Sequence, residues 1–88
     1  MQFETTEIKD VKMRIAVLCR TLRKSRGISR VELAEQLAVS RITIQNIETG
    51  KNVTLDTLLK VLQYFDLLEK YLLFIDEEIQ NNSYKSLY

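Results

Sequence analysis

The segment Ser40–Lys51, SRITIQNIETGK, holds the side chains with the most to offer chemically. At about 100° per residue, a helix starting at Arg41 keeps Ile44 and Ile47 on one face, with Glu48 turned to the same side. Ile42, Gln45, Asn46 and Thr49 take the opposite face, Arg41 opens the helix and Thr43 lies to one side. These are residue types that read base edges. Asn46 or Gln45 can bond adenine N6 and N7 together, Arg41 can fork onto guanine O6 and N7, and Ile42 can meet a thymine methyl. A polar face that is merely solvated, with Ile42 tucked into a neighbouring subunit, is the competing reading. The elements around the segment weigh against it.

Those elements form a regular succession of helices. Ile8, Val11, Ile15, Leu18 and Leu22 step by three and four, which predicts a first amphipathic helix capped by Thr5 or Thr6 and ended by Gly27. Ser29-Arg30-Val31-Glu32 reads as a capping box opening a second helix, with Val31, Leu33, Ala34 and Leu37 inside. After the short link Ala38-Val39, Ser40 caps the third helix, which stops at Gly50. Thr54 or Asp56 opens a fourth, with Leu55, Leu58, Leu59, Val61, Leu62 and Phe65 inside. Leu67 to about Gln80 predicts a fifth, and residues 81–88 read as a flexible tail. The expected fold is all-α with five helices.

Two short helices joined by three or four residues are a helix-turn-helix, whose second helix fits a DNA major groove. Phosphates would be met at the helix N-termini, by Arg30 after Ser29 and by Ser40, with Lys51 and Asn52 just beyond the third helix.

Composition closes off most other chemistry. The 88 residues suit one domain, and with no His and a single Cys (Cys19) there is no zinc set and no disulfide framework. Two Gly and no Pro argue against a phosphate-cradling glycine loop. Cys19 reads as a small buried hydrophobe, and the acids are scattered rather than paired, so no enzyme and no cofactor is expected. The longest apolar run, Tyr71–Ile75, is too short for a membrane span, and Glu4 and Glu7 precede any apolar stretch, so a cytoplasmic setting is expected.

The net charge of +1 averages over unlike segments. Residues 9–51 carry ten Lys/Arg against four acids, whereas residues 52–88 carry three Lys against six acids. A basic half suits phosphates and an acidic half suits protein contacts.

The run from Ser29 to Lys51, with "ELAEQLAVS", "TIQNIETGK" and the following "TLDTLLKVLQ", resembles the Xre family of helix-turn-helix regulators, relatives of the phage Cro and lambda-type repressors. With Leu22-Arg23 and Gly27-Ile28, the resemblance covers about residues 9–66. It implies a five-helix, lambda-repressor-like domain of bacterial or phage type, acting as a dimer on a palindromic operator. Carried over, the family's base-reading positions fall on Arg41, Ile42, Thr43 and Asn46, and its phosphate positions on Arg30, Ser40 and Asn52. The family also pairs a first-helix arginine with a glutamate ending the third helix, here Arg23 and Glu48. Two positions depart from the pattern, Ala38 and Asp66, where the family favours glycine.

Residues 67–80 carry more apolar surface than one small helix hides, as Leu68, Tyr71, Leu72, Phe74 and Ile75 show. A homodimer interface, made by a helix or by a strand at 71–75, is the economical explanation. The size and domain plan also resemble the DNA-binding antitoxins that partner HipA-type kinases, with Tyr84, Leu87 and Tyr88 helping to hold the toxin. A protein-interaction module that has lost DNA binding is the third alternative.

Overall fold

The computed structural model describes residues 5–86, with side-chain detail as far as Ser83. It has five helices: α1 (Ile8–Ser25), α2 (Arg30–Leu37), α3 (Arg41–Glu48), α4 (Leu55–Tyr64) and α5 (Leu68–Ser86). Among the described residues there is no strand, so the all-α expectation holds and residues 71–75 are helical. Leu87 and Tyr88 of the proposed toxin-holding tail lie outside the described residues, as does the side chain of Tyr84.

Short polar side chains open the helices. Ser29 Oγ accepts from the Glu32 N–H at 3.0 Å, while Glu32 Oε1 accepts from the Ser29 N–H at 2.8 Å. Ser40 and Thr54 cap α3 and α4, each accepting at 3.1 Å from the backbone N–H three residues on. The start of α1 differs from expectation. The helix begins at Ile8 behind Glu7, not behind Thr5 or Thr6, and the Asp10 carboxylate accepts from the Glu7 N–H at 2.9 Å. Two carboxylates at the positive end of the helix dipole account for that choice.

The first four helices all end alike. Backbone N–H groups of Ile28, Val39, Lys51 and Leu67 reach back to the carbonyls of Arg23, Ala34, Asn46 and Leu62, at 2.8–3.3 Å. Each closure needs one left-handed residue just before it. Gly27 and Gly50 supply two, with φ +67° and +76°, and at Gly50 a Cβ would also run into the Met13 sulfur. Ala38 (φ 56°) and Asp66 (φ 61°) supply the others, the two positions that depart from the family pattern. A non-glycine residue there carries about 1–2 kcal/mol of strain. Ala38→Gly is therefore expected to stabilise the domain by a net of about 1 kcal/mol, after glycine's unfolded-state entropy has offset part of the relieved strain. A thermal melt should rise by roughly 4–8 °C.

The core is thin. Cys19 of α1, Leu33, Ala34 and Leu37 of α2, Ile44 and Ile47 of α3, and Val61 of α4 with Phe65 at its end form one buried cluster. Ile15, Leu22, Val53 and Leu67 pack on its margin. Several apolar positions expected inside are not. Val31 is 43% exposed, Leu55 71% and Leu59 38%, and at the start of α1 Ile8 is 76% and Val11 48% exposed. Their helices are amphipathic, but no neighbouring element reaches far enough to cover those turns.

α5 runs six residues past the expected end near Gln80 and contacts the body mainly through its first turn. Every described side chain from Glu69 to Ser83 is exposed. Leu68, Leu72, Ile75 and Ile79 follow a four-three-four spacing, the a/d pattern of a coiled-coil seam. Leu59 of α4 joins Leu68, Tyr71, Leu72 and Ile75 in lining an apolar groove open to solvent.

Candidate nucleic-acid interface

α3 is held from behind by a buried carboxylate. The Glu48 side chain has no exposed surface, and the Arg23 side chain is 9% exposed. Arg23 Nε donates to Glu48 Oε2 at 2.6 Å and Arg23 Nη2 to Oε1 at 3.0 Å, a two-pronged pair between α1 and α3. The remaining Arg23 nitrogen, Nη1, donates to the Ile28 carbonyl at 3.0 Å. Spacing alone did not reveal the rest. Arg30 Nε, at the start of α2, donates to the same Glu48 Oε1 at 2.8 Å, and Arg20 donates to the Glu48 backbone carbonyl. One carboxylate thereby ties α1, α2 and α3 together.

This arrangement sets the charge states. Burial alone would push the Glu48 carboxyl up, but hydrogen bonds from Arg23 and then Arg30, with their charges, hold it below the ordinary carboxylate range. The hydrogen bond to Glu48 outweighs burial and raises Arg23 above its ordinary value. Cys19, whose sulfur lies 3.7 Å from Glu48 Oε2, is pushed up to about 12 by burial first and the Glu48 charge second. It stays a neutral thiol at neutral pH, which fits a core residue and not a nucleophile.

On the outer side, Arg41, Ile42 and Gln45 are exposed, Ile42 by 64%. Thr43 and Asn46 are half-buried. Thr43 Oγ1 is engaged with Ser40 Oγ at 2.8 Å. The Asn46 and Gln45 carboxamides have no hydrogen-bond partner among the described residues. An apolar side chain standing free among unpartnered amides is the arrangement expected of a face that meets bases.

The phosphate candidates do not all behave alike. Arg30 has its Nε committed to Glu48, yet its side chain remains 47% exposed. Ser40 Oγ accepts from the Thr43 N–H as a cap and also bonds Thr43 Oγ1, either hydroxyl being able to donate. Lys51 and Asn52 are exposed just past α3, and Lys12 of α1 donates to Asn52 Oδ1. Lys12 was not foreseen, because 40 residues of chain separate it from Asn52. Its only sequence signal was membership in the basic half.

α2, the three-residue link Ala38–Ser40 and α3 thus form a helix-turn-helix, the architecture of DNA-binding regulatory domains. Among protein-family models, residues 20–72 match the one described as Helix-turn-helix, of Cro/C1 type. The chain belongs to this Xre-like family, and its domain is a DNA-binding regulator of transcription, not a catalytic domain. No curated protein and no solved structure matches the chain. No helix among the described residues is long and apolar enough to cross a membrane. Nor do three or more of their His, Cys, Asp or Glu side chains gather to hold a metal.

Proposed function

We propose that this chain is a sequence-specific repressor that binds a palindromic operator as a homodimer, with α3 in the major groove. The observation that carries the reading is the two-sided α3. One side is locked to the core through Glu48, and the other offers Arg41, Ile42, Gln45 and Asn46. Arg30, Ser40, Lys51 and Asn52, joined by Lys12, surround that face and suit phosphates. Occupying an operator blocks transcription sterically, so a reading surface and a self-association element suffice for repression.

The self-association element is the stripe of Leu68, Tyr71, Leu72 and Ile75, with Phe74 beside it. The last four are 42–61% exposed. Covering each of five such side chains gains roughly 1 kcal/mol, and a two-fold dimer covers every one twice. Two copies of α3 would then meet successive major grooves about 34 Å apart.

The test is to size the protein and its DNA complex at several salt concentrations. Wild type is expected to bind as two protomers per duplex. Lys12, Arg30 and Lys51 give three phosphate cations per protomer, so affinity should fall roughly 10³-fold between 50 and 200 mM salt. Leu72→Asp, which alters a side chain already 56% exposed, should stay folded but run as a monomer. A persistent dimer would put the interface elsewhere, and a salt-independent affinity would remove DNA binding.

A further inference from the structure

Arg26, the last residue before the Gly27 turn that closes α1, is a cation held away from the reading face. Its guanidinium reaches across the fold to the joint between α4 and α5. Arg26 Nη1 donates to the Tyr64 carbonyl at 3.2 Å, and Nη2 lies 3.4 Å from Asp66 Oδ2. The guanidinium carbon sits 5.0 Å from the Phe65 ring centroid and 5.7 Å from that of Tyr64. The two rings meet edge to face at 5.1 Å, and Phe65 is buried. A single side chain therefore touches the last residue of α4 and two residues of the joint, Phe65 and Asp66, the latter in its left-handed conformation (φ 61°).

The joint matters because α5 is otherwise steadied near its start, by Leu67 on the core margin and by Leu18 of α1 beside Tyr71 and Phe74. Past Leu68 the described side chains of the helix are exposed, so its direction depends on the backbone at Phe65–Leu67 and on what grips it. The ion pair to Asp66 is open to solvent, with side chains 42% and 86% exposed, and such pairs hold weakly. The guanidinium lying over the two rings while bonded to a carbonyl is the firmer part, and lysine, with a single nitrogen, cannot meet the rings, the carbonyl and the carboxylate together. In a dimer joined through α5, any looseness at this joint becomes uncertainty in the distance between the two α3 helices. A swing of ~10° carries a point ~20 Å from the joint by ~3.5 Å, about one base-pair step.

We infer that Arg26 is a positioning residue that fixes the exit direction of α5 and thereby sets the half-site spacing the dimer accepts. The inference rests on the homodimeric reading given above. It is tested by measuring affinity for duplexes carrying the same two half-sites at a series of separations, alongside a single half-site. Wild type should prefer one separation, losing tenfold or more when one base pair is added or removed. Arg26→Met should keep the half-site preference and the single-half-site affinity, yet bind the neighbouring separations within about threefold of one another. Arg26→Lys, which keeps the charge but not the plane, should broaden the profile in the same direction and serves if the Met variant does not fold. Asp66→Asn should stay close to wild type.

An Arg26 variant with the wild-type spacing profile would overturn the inference while leaving the homodimer intact. So would an altered half-site preference, since Arg26 would then act on the reading face. A wild-type protein indifferent to separation would overturn the homodimeric reading and this inference with it.

Discussion

Replacing Glu48 with alanine is expected to destabilise the domain by about 3–5 kcal/mol, because Arg23 would be left charged and buried with its main partner gone. A domain of this size has only about 4–13 kcal/mol in total, so the variant should be partly unfolded at growth temperature. Urea titration with circular dichroism would measure the loss. The pair as such need not be a large net stabiliser, since desolvating two charges consumes much of their attraction. What makes the single replacement costly is the uncompensated partner. Arg30 and Arg20 also point at this residue, so the link between α2 and α3 should loosen together with that between α1 and α3.

Glu48→Gln separates charge from shape through pH. The folded carboxyl is held below its ordinary range, so its contribution is present above the unfolded carboxylate pKa. It is lost as pH falls through the folded value. The stability gap between wild type and Glu48→Gln should therefore be full at pH 7 and close progressively below the ordinary carboxylate range. A gap that stayed constant into acid would mean that shape, not charge, is what Glu48 provides.

Asn46→Ala is expected to weaken binding to the preferred duplex by about 1–3 kcal/mol, roughly 5- to 150-fold, and to relax one base position in each half-site. Its carboxamide has no partner among the described residues to lose, so the fold should be untouched. The backbone carbonyl of Asn46 that closes α3 onto the Lys51 N–H at 2.9 Å survives the change. Thermal melts should coincide while affinities separate. That combination distinguishes a reading residue from Glu48, whose removal acts on stability.

Much of this was legible from local chemistry. The caps Ser29 and Ser40, with the link between them, fixed α2 and α3 to within a residue. The helical period turned Glu48 inward, where the structure buries it to 1% exposure. The family resemblance, rather than local chemistry, marked Ala38 and Asp66 as standing where glycine is usual, and both are left-handed. What stayed hidden depends on separation along the chain or on neighbours. Arg30 and Glu48 are 18 residues apart and Lys12 and Asn52 are 40 apart, and no period relates them. Val31, Leu55 and Leu59 carry the correct apolar rhythm, but rhythm does not say whether another element covers a turn. The strand alternative at 71–75 arose because a short apolar run suits either state. The acidic stretch after it continues one long helix instead.

The central claim is that the outer face of α3 reads base edges in duplex DNA. Selection of bound duplexes from a random pool, run in parallel with wild type and Asn46→Ala, tests it most directly. Wild type should enrich a two-fold symmetric site with half-sites about one helical turn apart. The variant should enrich the same site with one position per half-site degenerate. No enriched site for wild type, or an identical site for both proteins, would contradict the account.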